Sequence, residues 1–201
     1  MHQRGLLASE PLPAHGAAAD PVLARVRYDS RQVGPGDVFV ARRGQHTDGH
    51  DHLDAAVAAG AAAVIVERPM PGLAVPELVV RDAKVALGIT AAWRAGDPGQ
   101  QLGVVGITGT DGKTTTAYLV HALLGAVGRP CGLLGTTDVI VGGRSLGNDA
   151  RTSTPEAPEL QAHLAAMRAA GDRWAVVEST SHGLAQQRVR GTAYDVAVLT
   201  N

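Results

Sequence analysis

Residues 106–116 read Gly106-Ile107-Thr108-Gly109-Thr110-Asp111-Gly112-Lys113-Thr114-Thr115-Thr116. The apolar run before this glycine-rich turn, at 101–107, predicts a buried parallel strand. The segment after it, at 118–127, has apolar side chains at helical spacing and predicts a helix. A strand, a glycine-rich loop and a helix in this order form a seat for nucleotide phosphates, because glycines let backbone N–H groups turn towards an anion. The stretch therefore predicts an α/β fold with a P-loop-type ATP-binding site.

Two side chains of this loop carry most of the predicted chemistry. Lys113 can reach the outer phosphates, and the Thr114 hydroxyl can hold Mg²⁺. The common P-loop pattern requires glycine at position 107, where this chain has Ile107, so the match is to a variant. An ordinary glycine-rich turn is the alternative, which the Lys-Thr ending disfavours. The predicted nucleotide-binding residues are Gly109, Thr110, Asp111, Gly112, Lys113, Thr114 and Thr115.

Composition excludes several classes of function. The chain has 201 residues, enough for two small domains, and a net charge of −1, so no overall field attracts nucleic acid or an anionic membrane. Its single cysteine, Cys131, excludes an internal disulfide and favours a reducing compartment, with the thiol buried. No apolar run is long enough for a signal peptide or a membrane span. We therefore expect a cytoplasmic, monomeric protein with small-molecule partners.

The chain divides by pattern into a leader and two α/β units. Residues 1–20 are rich in Pro and Ala and aperiodic, which predicts a flexible leader. A first domain is predicted over 21–96 and a second over 101–201, with 95–99 as a linker. In the first domain we expect strands at 26–31, 37–41, 62–67 and 78–80, and helices at 51–59 and 82–94.

The second unit continues to alternate between strands and helices. After the phosphate-loop strand and helix we expect strands at 131–136, 174–178 and 196–199 and a helix at 157–169. This order implies right-handed crossovers and a mostly parallel sheet. Glu178 then lies at the same sheet edge as the phosphate loop, where its carboxylate can join Thr114 in binding Mg²⁺.

Four groups of motifs follow one another along the chain. The first unit has Asp29-Ser30-Arg31, residues 35–41 and Asp48-Gly49-His50. The second unit has the phosphate loop at 108–116, Thr152-Ser153-Thr154-Pro155-Glu156, and Glu178-Ser179-Thr180-Ser181-His182-Gly183-Leu184. In this order they resemble the motifs of the Mur ligases, and within that family those of the branch that forms the muramoyl tripeptide.

The resemblance implies an ATP-dependent ligase of peptidoglycan synthesis. Such an enzyme adds the third amino acid, diaminopimelate or lysine, to UDP-N-acetylmuramoyl-L-alanyl-D-glutamate through an acyl phosphate. Lys113 and Glu178 would be its catalytic residues, and Thr114 and Glu178 would hold Mg²⁺. The residues that would contact the UDP-muramoyl peptide are Ser30, Gln45, His46, Thr47, Ser153, Thr154, Thr180, Gln186 and Arg188.

The chain departs from the family pattern at three places. Asp111 replaces the commoner Asn and adds a negative charge beside the phosphates, whereas Thr180 replaces Ser and keeps the hydroxyl. The segment expected after Asn201 and the C-terminal amino-acid-binding domain are absent from the sequence, so we expect an incomplete central domain. We expect His182 to hold its loop by hydrogen bonding rather than to act as a general base.

Two other functions stay open. A catalytically incomplete chain would act only as a module that binds UDP-sugar or nucleotide. A P-loop kinase or switch NTPase would explain the phosphate loop alone, but it predicts an Asp at the strand end where this chain has Glu178, and it leaves the first unit without a role.

Overall fold

The computed structural model describes residues 23–44, 47–148 and 152–201. The chain divides into two compact units, 1–90 and 91–201, with the division inside a helix at Ala83–Arg94. The leader predicted over 1–20, and the predicted substrate residues Gln45 and His46, lie outside the described residues. None of the described helices combines the length and the apolar character needed to cross a membrane.

The first unit is built on a four-stranded parallel sheet of strand order β1-β2-β3-β4. Its strands are β1 (Val26–Arg27), β2 (Val38–Val40), β3 (Ala63–Val66) and β4 (Glu77–Val79). Its helices are α1 (Leu53–Ala58) and α2 (Ala83–Arg94), with 3₁₀ turns at Ser30–Gln32 and Gly49–His52.

Local chemistry explains where elements of the first unit begin and end. Every residue of β3 is buried, as expected for a parallel strand covered on both faces. Asp82 caps α2 by accepting hydrogen bonds from the N–H groups of Lys84 and Val85. The strand predicted over 26–31 is wrong beyond Arg27. There Asp29 accepts the Arg31 N–H at 3.0 Å and the Arg31 guanidinium at 2.9 and 2.8 Å, so the chain turns.

The second unit contains a six-stranded sheet of order β10-β5-β9-β6-β7-β8. Its strands are β5 (Gly103–Thr108), β6 (Cys131–Leu134), β7 (Val139–Val141), β8 (Arg144–Ser145), β9 (Trp174–Glu178) and β10 (Val196–Leu199). Its helices are α3 (Lys113–Ala126), α4 (Ala157–Ala169) and α5 (Ser181–Ala185), after a 3₁₀ turn at Pro98–Gln100.

The first four strands of this sheet are parallel, and the predicted α/β class with a mostly parallel sheet is confirmed. The antiparallel hairpin of β7 and β8 was not predicted from the sequence. Its turn residues Gly142 and Gly143 have φ of +57° and +75°, which is the conformation that a two-residue hairpin requires. The Gly-Gly pair was the available signal, but strands of three and two residues are too short to show alternation.

Helices cover both faces of this sheet because successive strand residues point in opposite directions. Val104 and Val177 pack in one cluster with α4, whereas Val105 and Val176 pack in another with α3. The carboxyl ends of β5 and β9, with that of the neighbouring β10, form the edge at which ligands bind in sheets of this type.

Candidate functional site

The phosphate loop connects the end of β5 to the first residue of α3, and two glycines give it its shape. Gly109 has φ +137° and Gly112 has φ +78°, a region that other residues rarely adopt. A side chain on Gly109 would also overlap the Thr200 hydroxyl. The loop therefore brings its backbone to the N-terminus of a 14-residue helix, where the helix dipole favours an anion.

Lys113 lies over this loop. Its ammonium nitrogen donates hydrogen bonds to the carbonyl oxygens of Gly109 and Thr110, both at 2.8 Å. These contacts hold the positive charge at the loop.

The last two residues of the chain also contact the loop, and sequence analysis gave them no role. Asn201 Oδ1 accepts hydrogen bonds from the backbone N–H groups of Thr110 and Asp111 at 2.9 and 3.0 Å. The Thr200 hydroxyl lies 2.6 Å from the Asp111 carbonyl oxygen. No sequence motif identifies these contacts, because they depend on β10 pairing with β5.

Glu178 is fully buried at the carboxyl end of β9 and lies beside the phosphate loop. The Thr114 hydroxyl donates to Glu178 Oε2 at 3.1 Å, as expected if the two side chains share a cation. Thr136, which sequence analysis did not identify, donates its backbone N–H to Oε1 and its hydroxyl to Oε2, both at 3.0 Å. The carboxylate therefore has three hydrogen-bond donors, which offset the cost of its burial.

Three of the predicted substrate residues form one cluster behind Glu178. The buried Thr154 hydroxyl lies 3.0 Å from the carbonyl oxygen of Glu178, 3.0 Å from the backbone N–H of Thr180 and 3.2 Å from the Thr180 hydroxyl. Arg188 donates to the Thr154 carbonyl at 3.1 Å and pairs with Glu156 at 3.0 Å. Its buried Nε has no partner among the described atoms, so the guanidinium keeps a free donor.

The short helix α5, which sequence analysis did not predict, positions part of this cluster. Thr180 caps it by accepting the Gly183 N–H at 3.0 Å. Gly183 has no room for a side chain, since a Cβ would lie 2.7 Å from Thr154 Cγ2. Gln186 ends the helix and is half-buried. His182 is exposed, and among the described residues its ring makes no hydrogen bond, so the loop-holding role expected of the ring is not present here.

The other predicted substrate residues belong to the first unit. Ser30 begins the 3₁₀ turn that Asp29 caps, and the Thr47 carbonyl accepts the Gly44 N–H at 2.8 Å. Close by in sequence, Asp48 accepts hydrogen bonds from the His50 N–H at 3.0 Å and from His50 Nδ1 at 2.7 Å. These donors, together with Arg68, hold the pKa of the Asp48 carboxyl far below its usual range.

The donors present suit magnesium. Among the described residues no group of three or more His, Cys, Asp or Glu side chains could hold a metal ion. Thr114 and Glu178 instead offer two oxygen ligands beside a phosphate seat, and Mg²⁺ commonly binds one or two protein oxygens together with substrate phosphates.

Comparison with known protein families matches most of the chain. Residues 23–92 match the model of the Mur ligase family, catalytic domain, and residues 107–201 match that of the Mur ligase middle domain. The UDP-N-acetylmuramyl-tripeptide synthetase of Roseiflexus sp. (strain RS-1) is 50% identical over 193 residues, which are 94% of this chain and 38% of that protein.

Solved structures agree with this match. A UDP-N-acetylmuramoyl-L-alanyl-D-glutamate--2,6-diaminopimelate ligase superposes with a TM-score of 0.73 at 31% identity, over 89% of this chain and 36% of that one. The MurF ligase of Thermotoga maritima, solved in complex with ADP, superposes with a TM-score of 0.58 at 26% identity, over 90% of this chain and 38% of that one. This chain spans less than two fifths of the length of each of these three proteins. From the two matched family models and the geometry of the phosphate-loop site, the chain belongs to the Mur ligase family.

Proposed function

We propose that this chain forms the muramoyl-nucleotide-binding and ATP-binding parts of a MurE-type ligase. That ligase adds a diamino acid, diaminopimelate or lysine, to UDP-N-acetylmuramoyl-L-alanyl-D-glutamate in the cytoplasm. The observation that carries the proposal is the 3.1 Å contact between the Thr114 hydroxyl and Glu178 Oε2. This contact joins the residue after the phosphate-loop lysine to the end of β9. The Ser-His-Gly-Leu run, which begins three residues later at Ser181, is the motif that distinguishes this family from other phosphate-loop proteins.

The reaction requires activation of a carboxylate. A carboxylate oxygen of the muramoyl dipeptide attacks the γ-phosphorus of ATP, the bond from that phosphorus to the bridging oxygen breaks, and ADP leaves. The amine of the incoming amino acid then attacks the carbonyl carbon of the acyl phosphate. An amide forms, inorganic phosphate leaves, and the amine loses a proton. Positioning and charge neutralisation account for most of the catalysis of phosphoryl transfer.

Different residues of this chain have different roles in that reaction. Lys113 exchanges the carbonyls of Gly109 and Thr110 for phosphate oxygens and neutralises their charge. Thr114 and Glu178 would hold Mg²⁺, which supplies further charge neutralisation when bound. The buried Nε of Arg188 has no partner among the described atoms, so it can donate to a carboxylate or phosphate group of the muramoyl peptide. We assign further contacts with the muramoyl peptide to Thr154 and Thr180, which bond to each other, to the neighbouring Ser153, and to Gln186 at the end of α5.

Nucleotide binding tests this proposal directly. The chain has two lysines, Lys113 and Lys84, so Lys84→Ala is a matched control for Lys113→Ala. We expect Lys113→Ala to weaken ADP binding in the presence of Mg²⁺ by roughly 10- to 100-fold, the value of a charge-assisted hydrogen bond. Isothermal titration calorimetry measures this loss. Equal ADP affinities of the two variants would contradict the proposal.

A second measurement separates the ligase from a binding module. We expect the UDP-muramoyl dipeptide to bind the chain and Arg188→Ala to weaken that binding. Amide formation that depends on ATP and a diamino acid identifies a ligase. Binding of both ligands without turnover identifies the module, and nucleotide binding without any affinity for the UDP-muramoyl dipeptide favours an unrelated P-loop NTPase.

A further inference from the structure

Both oxygens of the Glu178 carboxylate are held by a single residue. Thr136, just after β6, donates its backbone N–H to Oε1 at 3.0 Å and its side-chain hydroxyl to Oε2 at 3.0 Å. One donor leaves a carboxylate free to rotate, whereas two donors on different oxygens define the plane of the group. Thr136 therefore fixes the orientation of a fully buried side chain.

Two threonine hydroxyls lie beside the same oxygen of this carboxylate. A carboxylate only accepts hydrogen bonds, so Thr114 and Thr136 both donate to Oε2. Thr136 has one hydroxyl proton, and the Ser153 oxygen lies 2.7 Å from its hydroxyl oxygen. Ser153 Oγ and Glu178 Oε2 are therefore two acceptors within reach of that one proton, whereas the backbone N–H of Thr136 donates to Oε1.

The backbone that carries Thr136 is itself anchored. Asn148 donates its amide Nδ2 to the Gly135 carbonyl at 2.9 Å and to the Thr152 carbonyl at 3.1 Å. A Cβ on Gly135 would lie 2.8 Å from Glu178 Oε1, so the turn approaches the carboxylate as closely as a glycine allows. These contacts leave little freedom for Thr136 to move.

We propose that Thr136 is a positioning residue that orients Glu178 for Mg²⁺, an inference that rests on the proposed function. When the Thr114 oxygen turns towards the cation, it gives up its hydrogen bond to Glu178. Thr136 still donates to both carboxylate oxygens, so it limits rotation of the carboxylate beside Thr114. Partners of metal ligands commonly tune metal affinity in this way.

Titration of Mg²⁺ against the full chain with ADP tests the role. We expect Thr136→Val to raise the Mg²⁺ concentration at half-saturation roughly tenfold or more, the typical effect of losing the partner of a metal ligand. We expect ADP binding without Mg²⁺ to stay unchanged, because in the described part of the chain the side-chain and N–H hydrogen bonds of Thr136 go to Glu178 and Ser153 and not to the phosphate loop. Thr136→Ser keeps the hydroxyl and restores the midpoint. Thr137→Val is the control, since its exposed neighbouring hydroxyl bonds only to Tyr118 among the described residues.

Each result decides the inference. If Thr136→Val and Thr137→Val have the same Mg²⁺ concentration at half-saturation, the inference is overturned. It is also overturned if Thr136→Val loses the same ADP affinity with and without Mg²⁺, because that result indicates a structural role only. Thr136→Ala repeats the test with a smaller side chain if the Val variant fails to fold by circular dichroism. Absence of any Mg²⁺ effect on ADP binding in the unsubstituted chain overturns the proposed function, whatever the Thr136 variants do.

Discussion

At the scale of single residues, the phosphate loop owes its conformation to partners far away in the sequence. Gly109 is required by its φ of +137° and also by Thr200, whose hydroxyl fills the space that a side chain would need. Asn201 occupies two N–H groups of the same loop. The motif predicts the glycine, but only the pairing of β10 with β5 accounts for the threonine and the asparagine.

Cys131 provides a residue-scale prediction with a defined dependence on pH. Burial, with the Asp172 carboxylate adding to it, raises the pKa of this thiol from 9.0 to about 12. At pH 8 the thiolate is therefore much rarer in the folded chain than in the unfolded chain. We expect native Cys131 to react with a thiol reagent such as DTNB at least 100-fold more slowly than in urea, because thiolate is the reactive form.

The same pKa shift also affects stability. The folded chain binds the thiol proton more tightly than the unfolded chain, so this contribution is complete below pH 9.0 and is lost as pH rises from there towards about 12. Cys131→Ala is the matched variant, and its stability should vary less with pH over that range. Rapid stoichiometric labelling of the native chain at pH 8 would contradict the prediction.

At the scale of elements, long periodic segments were predictable and short ones were not. The helix predicted over 157–169 is α4 at Ala157–Ala169, and the strand predicted over 174–178 is β9 at Trp174–Glu178. The five-residue helix α5 and the β7–β8 hairpin were missed. Elements this short show less than two periods of any pattern, and α5 forms because Thr180 caps it within the tertiary cluster.

Two glycines, one in a strand and one in a helix, should respond to alanine in opposite directions. On β5, a Cβ at Gly106 would lie 2.6 Å from the Tyr194 ring, so Gly106→Ala should destabilise the chain by about 1–3 kcal/mol. On α3, a Cβ at Gly125 meets nothing within 4 Å, and Gly125→Ala should stabilise the chain by roughly 0.5–1 kcal/mol. Urea unfolding followed by circular dichroism measures both changes, and a shift of the same sign in both would refute the packing argument.

At the scale of the complete chain, a net charge close to zero and an exposed edge strand both favour self-association. The chain has a net charge of −1 and an isoelectric point near 6.7, so little repulsion keeps copies apart. The last strand of the larger sheet, β10, exposes Val196 by 46% and Leu199 by 73%. An apolar edge strand is a template for pairing with another chain.

We therefore expect the chain to be monomeric when dilute and to associate as its concentration rises, most strongly near pH 6.7. Val196→Lys should suppress this association, because a lysine on an edge strand opposes pairing. Light scattering coupled to size-exclusion chromatography measures it, with Leu123→Lys, an exposed apolar position on helix α3, as the control. Equal suppression by the two variants would exclude the β10 edge as the cause.

The α/β class, the phosphate loop and the membership of the Mur ligase family could be inferred from the sequence alone. Each depends on spacings within short, continuous segments. Glu178 could be assigned to the same sheet edge as Thr114 because the carboxyl ends of parallel strands lie at one edge of a sheet. The contacts that hold these groups appear only in the folded chain: Thr136, after β6, bonds to Glu178, whereas Thr200 and Asn201, after β10, bond to the phosphate loop. Those contacts depend on β5 lying between β9 and β10 and on β6 pairing with β9, and the order of strands in a sheet has no local signature along the chain.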